Sequence, residues 1–251
     1  MSIRHLFTNI VCGLVPNKKS RSKLRVVLNN PKIHKYIKYV RHWADKNCGG
    51  VQKIRIEFGV GCHNLVVILN DAHVFKFFLV PGREARAYHE ARVVTALRNI
   101  SPIRFPEMEL IKYDNSVLRR YEFITGKMLT DFTPEQVQKN RTKIARQLAN
   151  FLYVIGCADP EEIRDLKPVA AAQSGYLYGW FHNDIGNNFM LDDDFNIVGF
   201  IDCERADFCD FRRSLIDTEH FWNKQGYRGL MVELLAEYSK LYYSHKTKVK
   251  K

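Results

Sequence analysis

The sequence predicts an α+β chain in two lobes, a small sheet with one helix in it followed by a mostly helical part. Three observations carry this. Lys53–Phe58 alternates apolar and polar residues with period two, and apolar runs follow at Leu65–Leu69 and His73–Phe78. Beyond Gly126 the period changes: Val137, Ile144, Leu148, Phe151, Leu152 and Ile155 fall on one helical face. A short hairpin then interrupts the helical part, with Asn188–Leu191 and Ile197–Ile201 on either side of the turn Asp192–Asn196.

In chain order, Ile3, Leu6, Phe7, Ile10, Val11 and Leu14 form one face of a helix that Pro16 stops. Lys18, Lys19, Arg21, Lys23 and Arg25 follow, and a second helix is expected from about Pro31 to Ala44. Asn47-Cys48-Gly49-Gly50 reads as a break. The expected division is a basic extension over 1–47, a first lobe over 48–124 and a helical lobe over 125–251. Within the first lobe Asn70-Asp71 is the turn between the second and third strands. Pro81-Gly82 ends the third strand, a helix spans about Glu84 to Arg98, and two strands lie near Glu109–Tyr113 and Ser116–Phe123. The helix after Gly126 opens on Thr133-Pro134-Glu135-Gln136. Thr is the N-cap, Pro fits the first turn, and Gln completes a capping box. Gly156 is expected to end that helix, and Phe211–Tyr243 to be helical throughout.

Composition bounds the function. With 251 residues, 46% apolar and 26% charged, the chain is an ordinary globular one. No apolar run reaches the roughly 20 residues that span a bilayer, and no secretory leader pattern is expected at the start. The six cysteines (Cys12, Cys48, Cys62, Cys157, Cys203, Cys209) form no C-x-x-C pair, which reads as reduced thiols in a cytoplasmic protein. Net charge is +12, unevenly placed: residues 1–47 hold eleven Lys or Arg against Asp45 alone, and Lys246, Lys248, Lys250 and Lys251 close the chain. An apolar helical stripe beside a basic cluster suits an anionic membrane surface, so residues 1–25 are expected to touch one at the inner face of the cytoplasmic membrane. A helix docked on the core beside a solvated basic loop is the alternative. Nucleic acid is not expected, because no nucleic-acid motif is visible.

The chemistry concentrates in Trp180–Leu191 and Val198–Glu204. His182, Asp184 and Asn188 fall in a tight loop before a strand, and Asp202 ends the paired strand, so it returns close to that loop. Two carboxylates and an amide are hard oxygen donors suited to Mg²⁺, and one carboxylate can remain to accept a proton from a hydroxyl. Upstream, Lys76 stands in an apolar strand, where it needs a partner. Glu90 or Glu84 could supply one. Gly59 and Gly61 could cover phosphates, although two glycines are a weak pattern.

In this order the pieces Val74-Phe75-Lys76, Glu90–Leu97, Tyr121–Gly126, His182-Asn183-Asp184, Asn188–Leu191 and Ile201–Glu204 resemble the aminoglycoside phosphotransferase and choline kinase family, with its protein-kinase-like fold. The resemblance implies an ATP-dependent kinase acting on a hydroxyl. Asp184 would be the catalytic base, with His182 holding its loop or reacting. Asn188 and Asp202 would hold Mg²⁺, Lys76 would contact ATP phosphates and pair with Glu90, and the backbone around Glu122, Phe123 and Ile124 would bind adenine. The sequence departs from the family in a shortened step from Asp184 to Asn188, which leaves Asn187 a rival ligand, and in the thin Gly59/Gly61 loop. Glu204 is either a neighbour of Asp202 or solvent-facing. The stretch Asn9–Lys19 also resembles openings of bacterial enzymes that build surface polysaccharide and lipopolysaccharide. The acceptor implied is a sugar of a cell-surface glycolipid such as lipopolysaccharide core. A soluble acceptor (choline, ethanolamine, a sugar or an aminoglycoside) and a catalytically degenerate binding module are the rival readings.

Overall fold

The computed structural model describes residues 30–58, 63–168 and 177–249, with the isolated positions Arg21, Leu24, Val26 and Leu28. The amphipathic segment 3–14 and the Gly59/Gly61 loop lie outside the described residues, as does all of the cluster at 18–25 except Arg21. The chain forms two compact units, one of residues up to Ala85 with Glu109–Phe123, the other of Arg86–Met108 with Ile124 onward.

The first unit is a five-stranded antiparallel sheet with one helix on a face. The strands are β1 (Ile54–Phe58), β2 (Asn64–Leu69), β3 (His73–Phe78), β4 (Glu109–Tyr113) and β5 (Ser116–Glu122), in spatial order β1-β2-β3-β5-β4. Asn70-Asp71 and Asp114-Asn115 close two hairpins, each with both residues at φ between 50° and 56°. Asn and Asp tolerate that left-handed backbone, which matches the twist of the flanking strands. Helix α1 (Pro31–Asn47) starts at Asn30, whose side chain accepts from Lys32 N at 3.1 Å. It buries Ile33, Tyr36, Val40 and Ala44 against Leu65, Val67, Phe75, Phe77 and Leu118, and Tyr36 stacks on Phe77 with centroids 4.4 Å apart. Side chains of this size stabilise by roughly 1.5–3 kcal/mol each when fully buried. Residues 31–47 pack with the sheet, because α1 supplies one wall of the sheet's core.

The second unit is built on helix α3 (Pro134–Gly156), preceded in the chain by helix α2 (Glu84–Leu97), which begins in the first unit, and by the two-residue strand β6 (Lys127–Met128). The capping box at Thr133 and Gln136 forms with bonds of 3.3 and 2.9 Å, and the expected apolar face of α3 is buried. Gly156 is the last helical residue, not a left-handed cap. Its missing Cβ leaves room for Phe181, whose Cε1 would lie 2.8 Å from it, and strand β7 (Tyr178–Phe181) comes so near that a Cβ on Gly179 would lie 2.2 Å from Gly156 O. Strands β8 (Phe189–Leu191) and β9 (Ile197–Phe200) form the expected hairpin, joined by β6 in a three-stranded sheet. Strand β10 (Asp207–Asp210) pairs with β7, an element pair the sequence did not announce. The helical end is two helices, α4 (Phe211–Gln225) and α5 (Leu230–Val249), because Gly226 at φ 81° closes α4. Among the described residues no helix is long and apolar enough to cross a membrane, and Cys48, Cys157 and Cys209 are free thiols.

Candidate active site

The second unit gathers His182, Asp184, Asn188 and Asp202 through short backbone ties. Strand β7 delivers Trp180 and Phe181 into the core and leaves His182 at its end, 1% exposed. His182 Nε2 donates to Ile201 O at 3.0 Å, since a carbonyl can only accept. Its Nδ1 is buried with no hydrogen-bond partner, and burial pushes the ring's pKa down. His182 is thus a strut between the loop and the residue before Asp202. Ile201 N returns the tie by donating to Asn188 O at 2.9 Å.

Asn187 and Asn188 are distinguished by what their side chains do. Asn187 Oδ1 accepts from Thr130 N at 3.1 Å, so its oxygen is engaged in holding the turn after β6. Asn188 Nδ2 donates to Asp184 O at 2.8 Å, which orients the amide by its nitrogen. Asp202 sits in the left-handed region at φ 54° and ψ 58°, a conformation Asp tolerates better than most residues.

Asp184 is half-buried. Burial raises its carboxyl above the ordinary value and the nearby Asp202 and Asp217 raise it further, while His182 and Arg205 oppose the shift. Arg205 Nη1 lies 3.8 Å from Asp184 and its Nη2 2.7 Å from Asp217 on α4. Sequence reasoning did not single out Arg205 or Asn183. Asn183, at φ 61°, donates from Nδ2 to Arg205 O at 3.0 Å and accepts from Cys209 Sγ at 3.1 Å. It clamps the loop to β10, a role visible only once β7 and β10 are known to pair. Both residues line a cavity of about 670 Å³ with Arg86, Glu204, Arg213 and Asp217. Glu204 is not solvent-facing: its side chain is 8% exposed and 3.7 Å from Arg86 Nη1.

The remaining expected residues fall in both units. Lys76 on β3 is 2% exposed in the first unit, and Glu90 on α2 is 1% exposed in the second. Glu84, the rival to Glu90, accepts from Ser116 Oγ at 3.0 Å. Glu122 ends β5, and Phe123 N donates to Ala72 O at 2.8 Å. Ile124 is buried and opens the second unit, where it is packed so closely on Gly199 that a Cβ there would lie 2.7 Å from Ile124 Cδ1. Among the described residues no three His, Cys, Asp or Glu side chains converge as a metal cluster.

No family model matches the chain, and no curated protein does. Solved structures do. The GDP and kanamycin complex of APH(2")-IIia is 14% identical, covering 76% of this chain and 78% of that one, with a TM-score of 0.60. The fold is that of the aminoglycoside and macrolide phosphotransferases, a protein-kinase-like fold. The streptomycin–ATP ternary complex of APH(2")-IIa is 13% identical with a TM-score of 0.56, over 86% of this chain and 88% of that one. Macrolide 2'-phosphotransferase MphH from Brachybacterium faecium is 13% identical with a TM-score of 0.57, over 80% and 82%.

Proposed function

We propose that the protein is a phosphotransferase that moves the terminal phosphate of ATP to a hydroxyl. The observation that carries the reading is the pair of ties that fix the loop to the hairpin, His182 to Ile201 O and Ile201 N to Asn188 O. They hold a half-buried carboxylate, a second carboxylate and an amide oxygen in one place, within the fold of known phosphotransferases. Asp184 would accept the proton of the acceptor hydroxyl, and its raised pKa suits a base that must work near neutral pH. Arg205 would hold that carboxylate between itself and Asp217. The donor set fits Mg²⁺, a hard cation that takes few protein oxygens beside phosphate and water. Asn188 and Asp202 would hold it, Asn188 through the Oδ1 that its bond to Asp184 O leaves for the purpose. When bound, Mg²⁺ neutralises charge on the transferred phosphate. Lys76 and Glu90 would serve the nucleotide phosphates, with adenine held at the backbone of Glu122–Ile124.

The cavity beside Asp184 would receive the acceptor. Arg86, Arg205 and Arg213 face Glu204, Asp207 and Asp217 around it, a balance that suits a hydroxyl-rich sugar better than a polycation. Together with the basic, amphipathic start of the sequence, this favours a sugar of a bacterial cell-surface glycolipid, reached from the cytoplasmic membrane surface. A soluble sugar or choline-like acceptor uses the same chemistry and is an outcome of the test. The test is transfer from γ-labelled ATP into a bacterial extract split into glycolipid and water-soluble pools, with Asp184→Asn as control. Label in glycolipid, lost in the variant, supports the reading. Label only in the soluble pool moves the acceptor to a free small molecule, and no label in either refutes transfer. Deleting residues 1–20 should abolish binding to anionic vesicles. Unchanged binding would remove that segment as the anchor.

A further inference from the structure

Helix α5 is apolar on two opposite faces, and the core accounts for only one of them. Leu230, Met231, Leu234 and Tyr238 are buried, with Tyr238 stacked on Phe211 at 3.9 Å between centroids. On the other side Val232, Leu235, Ser239 and Tyr243 follow one another at steps of three and four residues, which sets them in one row along the helix. Val232 is 70% exposed, Leu235 42% and Tyr243 66%. Apolar residues scattered singly on a surface are ordinary, whereas a contiguous set of them marks a contact.

Charge says what kind of contact. Only two acids occur in α5, Glu233 and Glu237, and both meet arginines of α3. Glu233 lies 3.2 Å from Arg141 Nε and Glu237 3.6 Å from Arg146 Nε, while Lys240 Nζ is 2.7 Å from Glu237. The acids beside the row are thus already neutralised. From Tyr238 to Lys251 the sequence holds no acid, and Lys240, Lys246, Lys248, Lys250 and Lys251 fall in that stretch. An exposed apolar row that runs into a lysine cluster matches a lipid surface with anionic headgroups. The apolar side chains enter the headgroup boundary and the lysines meet its charge. Tyrosine suits that boundary, with an apolar ring and a polar tip. A second copy of this face would bring the same row and no unpaired carboxylate for the lysines.

We propose that α5 is a membrane-contact helix, whose row of Val232, Leu235, Ser239 and Tyr243 lies on an anionic lipid surface beside the C-terminal lysines. This rests on the membrane-surface part of the proposed function and not on phosphate transfer. A single weak contact gives only marginal, reversible attachment, and two acting together hold a protein at a membrane. Helix α5 is then the second contact, needed together with the basic start of the chain.

The test measures sedimentation of the full chain with vesicles of phosphatidylcholine alone and of phosphatidylcholine mixed equally with phosphatidylglycerol. Wild type should bind the anionic vesicles and not the neutral ones, and should bind less as salt is raised. Val232→Ser combined with Leu235→Ser should weaken that binding about tenfold or more, and so should Lys246→Gln, Lys248→Gln, Lys250→Gln and Lys251→Gln together. The serine variant should melt within about 3 °C of wild type, because both side chains it changes are exposed. Tyr243→Trp reads the contact directly: acyl-brominated lipid in the anionic vesicles should quench its emission beyond any quenching of Trp43, Trp180 and Trp222 in wild type. Wild-type binding by the serine and lysine variants, with no added quenching in Tyr243→Trp, would overturn the proposal and leave the basic start of the chain as the anchor. No binding by wild type would overturn it together with the membrane-surface reading. A dimer that the serine variant turns into monomers would assign the row to a second copy and overturn it as well. Should the serine variant not fold, the lysine variant and Tyr243→Trp carry the same comparison.

Discussion

Replacing Gly179 with alanine should be among the most damaging small changes this protein can suffer. The new Cβ would sit 2.2 Å from Gly156 O, 2.7 Å from Gly156 Cα and 2.8 Å from Gly156 C, where ordinary contact begins near 3.4 Å. All three atoms are backbone, so no side chain can swing aside. Either the last turn of α3 or strand β7 must retreat by about an ångström, and both lie in the core with Phe151, Ile155, Trp180 and Phe181. Overpacking costs roughly 1–3 kcal/mol, and a clash confined to backbone belongs at the upper end, about 3 kcal/mol. For a chain of this length each kcal/mol moves the melting temperature by roughly 2–4 °C, giving a fall of about 6–12 °C. Calorimetric melts of wild type and Gly179→Ala side by side measure it. Because β7 runs straight into His182, phosphate transfer should fall as well. A melting temperature within about 2 °C of wild type would refute the claim that this contact fixes the strand.

Other expectations concern the loop. Asp184→Asn should cut transfer by at least about a hundredfold yet melt at or above the wild-type temperature at neutral pH. Burial raises the Asp184 pKa in the folded state, so its contribution to stability is lost as pH rises through that value, and the neutral amide avoids the loss. Melts from pH 4 to 8 should therefore show the variant's advantage shrinking toward acid. For the same reason the acid limb of the rate profile should lie above the ordinary carboxylate range, and Arg205→Met should move it higher still by removing a cation that lowers the pKa. A limb that stays put in Arg205→Met would separate Arg205 from the base. Asn188→Ala should raise the Mg²⁺ concentration needed for half-maximal rate, whereas Asn187→Ala should leave it unchanged and lower stability by about 1–2 kcal/mol, because Thr130 N loses its acceptor. Mg²⁺ titrations and melts of both variants separate the two roles.

Much of the fold was legible because its signals are local. The capping box at Thr133, the paired left-handed residues at Asn70-Asp71 and the period-two strands each act within a few residues. The hairpin that joins Asn188 to Asp202 was legible for the same reason. What escaped is non-local. Strands β7 and β10 are four residues each, and their partners are separated by more than twenty residues in the chain, so no periodicity announces them. Asn183 and Arg205 owe their roles to that pairing and were missed with it. Gly156 does end its helix, as expected, but the close approach of Gly179 to its backbone carried no sequence signal.

The left-handed backbone at Asp202 has an evolutionary consequence. Asparagine adopts that conformation about as readily as aspartate, so Asp202→Asn can remove a full negative charge while leaving the turn in place. The same exchange is available at Asp184. On the phosphotransferase reading, transfer and binding are therefore separable by single conservative changes that leave the scaffold standing. On that reading a lineage carrying this chain has a short path from an enzyme that modifies its ligand to a receptor that only holds it.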